Sequence, residues 1–188
     1  MTFPLTRTNF RGILNCKKEA IRVKLREATA QDAALISQTI AASWRGAYQG
    51  LIDPAYLSRL PDTYWLPSTR SWLESGRMYG MIAEVDNVPV GCVIYGRGRD
   101  EDHADWGEIV SLYVLPQAMG HGVGSALLIA AISGLREDGY ANLYLWVILD
   151  NARAWRFYQR YGFRFTPDLV KYRVGSGDVT DVCMVLEG

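Results

Sequence analysis

Three cysteines and two histidines are all that these 188 residues contain, and the shortage is informative. Cys16, Cys92 and Cys183 cannot all pair. No C-x-x-C or clustered His/Cys spacing is present, and no metal site is expected. Charge of one sign is also lacking. Lys+Arg and Asp+Glu are equal at 20 each, which leaves no whole-chain basic field for gripping nucleic acid. No apolar run reaches the roughly 18 residues of a membrane span. The longest, Leu127-Leu128-Ile129-Ala130-Ala131-Ile132, breaks at Ser133-Gly134. What is present is core material, 49% apolar and 12% aromatic, in a chain the size of one domain. The expectation is a soluble cytoplasmic protein that binds neither nucleic acid nor membrane.

Residues 1–20 look appended. Seven basic residues face two acidic ones through residue 27. No apolar stretch stands behind them, so a secretory signal fits poorly. A mobile, solvated arm is expected there, with an Arg-bearing transit peptide as the alternative. Residues 21–188 are expected to form one domain.

Ile21-Arg22-Val23-Lys24-Leu25-Arg26 alternates as a half-buried strand does. Thr29 and Asp32 resemble a helix start, followed by Leu35, Ile36, Ile40 and Trp44 at helical spacing. Asp53-Pro54 opens a second, shorter helix; Trp65 and Trp72, seven apart, fit one face of a third. Met81–Val85 and Val88–Tyr95 read as strands joined at Asp86-Asn87, and a polar loop follows from Gly96 to Asp105. Ile109–Val114 is almost continuously apolar, as a strand buried on both faces is. A glycine-rich stretch leads into a helix with Val123, Leu127, Leu128, Ala131, Ile132 and Leu135 on one stripe, closed by Gly139. Leu143–Leu149 is a further buried strand. Asn151 starts a helix that ends at Gly162, and Val182–Leu186 is a last strand. Strand-helix-strand in this half implies parallel neighbours with a right-handed crossover; the hairpin before it makes the sheet mixed. The expected class is α/β (α+β).

Between strand and helix lie three alternate glycines, Gly120, Gly122 and Gly124. Glycine permits positive φ and removes Cβ atoms that would keep a ligand off the backbone. A helix start adds unpaired N–H groups and about half a positive charge. Together they suit a phosphate or pyrophosphate, whereas a turn serving chain geometry alone is the plainer alternative. A P-loop needs a lysine after its glycines, and none is here. A dinucleotide fingerprint places Gly or Ala where Ser125 stands, although Asp150 could imitate its ribose-binding acid. The upstream hairpin argues against that fold.

Gln117-x-x-Gly120-x-Gly122 resembles the Q/R-x-x-G-x-G/A turn of the GNAT N-acetyltransferase superfamily. The similarity extends upstream to Leu112-Tyr113-Val114-x-Pro116. Downstream it reaches Leu145-Trp146-Val147-x-x-x-Asn151-x-x-Ala154-x-x-Phe157-Tyr158-x-x-x-Gly162-Phe163. The close match covers roughly residues 106 to 166. A weaker one, including Trp44-Arg45-x-x-Tyr48-x-Gly50-Leu51, begins at Ile21; residues 1–20 match nothing.

The resemblance implies a GNAT fold: a mixed, twisted sheet of about six or seven strands with helices on both faces. The strands at 108–114 and 142–149 would splay apart to admit acetyl-CoA. It implies an acetyl-CoA-dependent N-acetyltransferase working on a primary amine of a small molecule, peptide or protein N-terminus. The transfer would be direct, in a ternary complex, without a metal. A non-catalytic acyl-CoA-binding module is the alternative, and a homodimer is a candidate assembly. Carried over, Leu112, Tyr113 and Val114 would pair with the pantetheine arm. Beyond Gln117, backbone N–H groups of Met119, Gly120, His121, Gly122, Val123, Gly124 and Ser125 would hold the pyrophosphate. Asn151 would bond the pantetheine region, or act as helix N-cap, or both. Tyr158 would be the general acid, with a core aromatic as the plainer role.

An ammonium near pKa 10 must lose a proton before its nitrogen attacks. Glu108 is the candidate base, opening an apolar strand and sharing a face with Val110 and Leu112 by strand alternation. An exposed strand start is the alternative, with Tyr113 and Ser111 as a fallback proton relay. His121 is expected to be exposed. Asp100, Glu101, Asp102 and Asp105 could flank an acceptor mouth, or form a solvated loop beside Arg97 and Arg99. Acceptor specificity is expected from 44–60 and 166–181.

Overall fold

The computed structural model describes residues 22–188; the arm expected over residues 1–20 lies outside them, as do Ile21 and Cys16. β1 (Val23–Glu27) leads into Thr29, whose N–H and hydroxyl both donate to the Asp32 carboxylate, at 2.9 and 3.1 Å. The first turn, Ala30–Asp32, is 3-10, and α1 (Ala33–Ala47) continues from it. Arg26 fixes this start by bonding both Asp32 oxygens and Glu84. Asp53 accepts from the Ala55 N–H at 2.8 Å and opens α2 (Pro54–Arg59); α3 (Leu66–Glu74) follows. β2 (Met78–Val85) and β3 (Val88–Arg97) form the expected hairpin. Asp86 and Asn87 both have positive φ, 52° and 61°, as a two-residue primed turn requires.

Then come β4 (Gly107–Val114), α4 (Val123–Glu137), β5 (Leu143–Ile148) and α5 (Ala152–Gln159). α5 ends earlier than Gly162, but its C-terminus closes there. Phe163 N–H donates to the Tyr158 carbonyl and Gly162 N–H to that of Gln159, with Gly162 at φ 91°. The sequence reading found one final strand where there are two. β6 (Arg164–Val174) was missed, and β7 (Gly177–Leu186) begins five residues before Val182. β6 is exposed along nearly all its length, so it lacks the burial pattern that marks a strand. Its register also breaks between Phe165 and Leu169, around Pro167.

The sheet has seven strands in the order β1-β2-β3-β4-β5-β7-β6, and only β4 and β5 are parallel. α4 and α5 cover one face, with Leu127, Leu128 and Tyr158 packed on Val93, Ile109 and Leu145. α1 and α3 cover the other, with Ile36, Ile40 and Trp72 against Ile82, Cys92 and Ile94. α2 closes the far end over Ile148, Val174 and Val179. Among the described residues no helix is long and apolar enough to cross a membrane.

Candidate active site

The site begins as a gap in the sheet. β4 and β5 pair only at Gly107–Leu143 and Glu108–Tyr144, at their N-terminal ends. Beyond that point the strands part, which leaves the β5 side of Ile109–Val114 without a ladder partner among the described residues. Such an edge offers rows of N–H and C=O groups to an extended ligand. A bulge re-aims the strand at the same place: Ser111 lies opposite Ile94 and Ile109 opposite Tyr95, so Val110 is the extra residue. The consequence corrects the expectation from simple alternation. Val110 stays on the α1 face with Tyr113, but Leu112 is carried to the α4 face. The gap opens into a cavity of about 720 Å³ whose walls include Leu112, Tyr113 and Val114.

The glycine turn forms one end of that cavity. Gly120 and Gly122 have φ of 80° and 83°, conformations that disfavour any residue with a Cβ. Gly122 is the N-cap of α4, whose first internal bond runs from Ala126 N–H to the Gly122 carbonyl at 3.0 Å. The amides of Gly120 to Ser125 consequently find no acceptor among the described residues. Met119, Gly120, Gly122, Gly124 and Ser125 line the cavity. Unbonded donors at a helix N-terminus make an anion cradle.

α5 forms another part of the wall. The Asn151 side-chain oxygen accepts from Ala154 N–H at 3.2 Å, so Asn151 is the N-cap, while its amide NH₂ remains free to donate into the cavity it lines. Tyr158 is 8% exposed, packs edge-on against Phe163, and still lines the cavity. Burial first, and then Tyr113, pushes its hydroxyl well above the ordinary tyrosine value, so it stays protonated. Tyr113 accepts a hydrogen bond from Trp44 Nε1 at 2.9 Å, and Trp44 meets Tyr48 edge-on at 5.0 Å. Burial raises Tyr113 and Tyr48 as well.

Residues 44–163 match the model of the Acetyltransferase (GNAT) family. The chain belongs to this family. A probable N-acetyltransferase of Mycobacterium tuberculosis is 29% identical over 82% of this chain and 87% of its own. Among solved structures, the PaiA N-acetyltransferase of Thermoplasma acidophilum in complex with coenzyme A superposes with TM-score 0.72 at 18% identity. That match covers 89% of this chain and all of the other. YncA of Salmonella typhimurium, a putative acetyltransferase with its cofactor acetyl-CoA, gives 0.66 at 22% identity over 88% and 93%. These likenesses agree with the GNAT fold of seven strands and flanking helices.

Not every residue expected at the GNAT site reaches the cavity. Leu112, Tyr113, Val114, Met119, Gly120, Gly122, Gly124, Ser125, Asn151 and Tyr158 share its wall. Gln117 and His121 are exposed beside it, and the Val123 side chain is buried in the core beneath α4. Glu108 is neither exposed nor on the wall. It is 2% exposed, and its carboxylate is held by Arg99 through Nε at 2.8 Å and Nη2 at 2.5 Å. Arg99 stands between it and the cavity, with its guanidinium 5.4 Å from the Trp72 ring centre. Of the acidic loop, Asp100 accepts from Trp146 Nε1 at 2.7 Å, whereas Glu101, Asp102 and Asp105 are exposed.

The structure adds wall residues that sequence reasoning did not single out: Ser43, Arg99, Arg153 and Arg160. The arginines of α5 left a signal, since Arg153, Arg156 and Arg160 crowd one short helix. Ser43 and Arg99 left none, being ordinary residues until the fold brings them to the gap. Tyr172 and Asp181 fall within the segment expected to set specificity, without having been picked out.

Proposed function

We propose that this chain is an N-acetyltransferase that moves an acetyl group from acetyl-CoA to a primary amine, by direct attack with both substrates bound. The amides of Gly120–Ser125 carry this reading: consecutive donors without acceptors among the described residues, beside a gap in the sheet. They would hold the pyrophosphate, and the open edge of Leu112–Val114 would pair with the amides of the pantetheine arm. Asn151 would donate its free NH₂ to the same arm. Acetyl-CoA supplies an activated acyl carbon and a thiolate leaving group.

Tyr158 serves that leaving group as general acid. A phenol near pKa 10 and a thiol near 8.5 differ little, and burial that raises one raises the other beside it. Holding thioester and amine together contributes up to ~7–11 kcal/mol when the geometry is good. Glu108 could act as base only after releasing Arg99, so we assign it the positioning of Arg99. The acceptor enters at the end lined by Trp44, Tyr48, Tyr172 and Asp181.

The test is isothermal calorimetry with acetyl-CoA, followed by thiol release across an amine panel. Association heat with thiol release is the expected outcome. Binding without release on any amine would point to a non-catalytic acyl-CoA-binding module, and absence of binding would end the reading.

A further inference from the structure

The proposed acceptor end of the cavity holds a carboxylate that pairs with no cation among the described residues. Asp181 lies on β7, opposite Ile148 of β5 and Val170 of β6. The Tyr172 hydroxyl, 3.1 Å from each of its oxygens, is its one side-chain donor among the described residues. Three arginines share the cavity wall, and none pairs with it: Arg99 is held by Glu108, and Arg160 lies 5.7 Å from the Phe157 ring centre. The titratable groups facing Asp181 are Tyr172 from β6, Tyr48 at the end of α1 and Tyr113 from β4. Trp44 and Trp146 add flat faces to the same wall. Ser43, also on that wall, is fully buried, and its hydroxyl has no partner among the described residues.

A partly buried carboxylate without a cation is costly, as is an orphaned hydroxyl. Both costs are offset by one kind of ligand. A carboxylate framed by aromatic faces is the complement of an ammonium group.

We infer that Asp181 is the counter-ion of the acceptor ammonium and takes its proton, and that the acceptor is a cationic primary amine on an apolar or aromatic arm. The inference rests on the N-acetyltransferase reading and deepens it. The protons balance as follows. An ammonium N–H passes its proton to an Asp181 oxygen, which releases it to solvent. The freed lone pair forms the C–N bond as the C–S bond breaks, and the Tyr158 hydroxyl protonates the departing thiolate. The second proton lost from nitrogen restores Tyr158. One proton is released per turnover.

Burial lifts the Asp181 carboxyl above its ordinary range, and the Tyr172 hydrogen bond opposes the rise. Asp181 accepts a proton only when ionised, so kcat/KM falls as pH drops through this raised value. The acid limb therefore stands above the usual ~3.9 of a free aspartate.

The experiment measures pH profiles of thiol release with phenylethylamine, 1,3-diaminopropane and an alanine tripeptide. It compares the wild type with D181N, D181E, Y172F and E108Q, and checks each variant for acetyl-CoA binding by calorimetry. D181N should keep acetyl-CoA binding, lose the acid limb and fall by ~100-fold or more in kcat, with partial recovery in D181E. Y172F, which removes the hydrogen bond that favours the charged form, should move the acid limb to higher pH. An acid limb that survives in D181N, or disappears in E108Q instead, overturns the Asp181 assignment while leaving the N-acetyltransferase reading intact. A wild type that binds acetyl-CoA but acetylates none of the amines overturns both.

Discussion

At the scale of single residues, Tyr158 joins the core to the proposed chemistry. Its ring packs with Phe157 and Phe163 while its hydroxyl end lines the cavity. Removing the hydroxyl should leave the packing and take away the proton. Tyr158→Phe should lower kcat by roughly 10²-fold, with KM for acetyl-CoA within about twofold of wild type, measured by steady-state thiol release. Tyr158 and Asn151, which both line the cavity, were expected at the site from their resemblance to the GNAT motif. Arg99 and Asp181 were not, because their meaning comes from neighbours far along the chain. For Glu108, expected as a base or an exposed strand start, burial beneath Arg99 was not foreseen for the same reason. Its strand could be read, but the guanidinium that covers it arrives from the loop after β3.

At the scale of elements, the turn before α4 divides its three glycines between two causes. Gly120 and Gly122 are required by backbone sign, with φ near 80°. Gly124 is not: a Cβ there would meet the Phe157 ring at 3.6 Å and Val114 at 3.7 Å, ordinary contacts. Gly122→Ala should therefore cost ~1–2 kcal/mol in denaturant unfolding, the penalty of holding an L-residue in a left-handed conformation. Gly124→Ala, inside the helix, should cost nothing or gain up to ~1 kcal/mol. The turn, the Asp86-Asn87 hairpin and the Gly162 stop were readable because each depends on a few adjacent residues. The bulge at Val110 was not, since a ladder irregularity is fixed by the partner strand rather than by the strand that bends. β6 escaped because a mostly exposed edge strand shows no apolar period.

At the scale of the molecule, the glycine turn, Asn151 and Asp181 line one cavity at the gap, with α4 and α5 on one face of the sheet and α1 on the other. A ligand that binds only the folded chain stabilises it by mass action. Acetyl-CoA at ~100 times its Kd should add about 2.7 kcal/mol at 25 °C, read as a rise in the denaturation midpoint, and Gly122→Ala should lose part of that increment at the same acetyl-CoA concentration. The fold class and the splayed strands were legible because two motifs in the right order specify them together. The depth and lining of the cavity were not, being a product of α1, β6 and β7 meeting.

Two ladder pairs are all that join β4 to β5. β1 to β4 thus form one leaf of the sheet, and β5, β7 and β6 another, creased along a line that ends at the Glu108–Tyr144 rung. A pantetheine chain laid in the crease would supply the rungs that the protein lacks. Deuterium uptake by the β5-facing amides of Ile109–Val114 should accordingly be fast in the free protein and slow once the donor is bound, because the bound donor would also finish building the sheet.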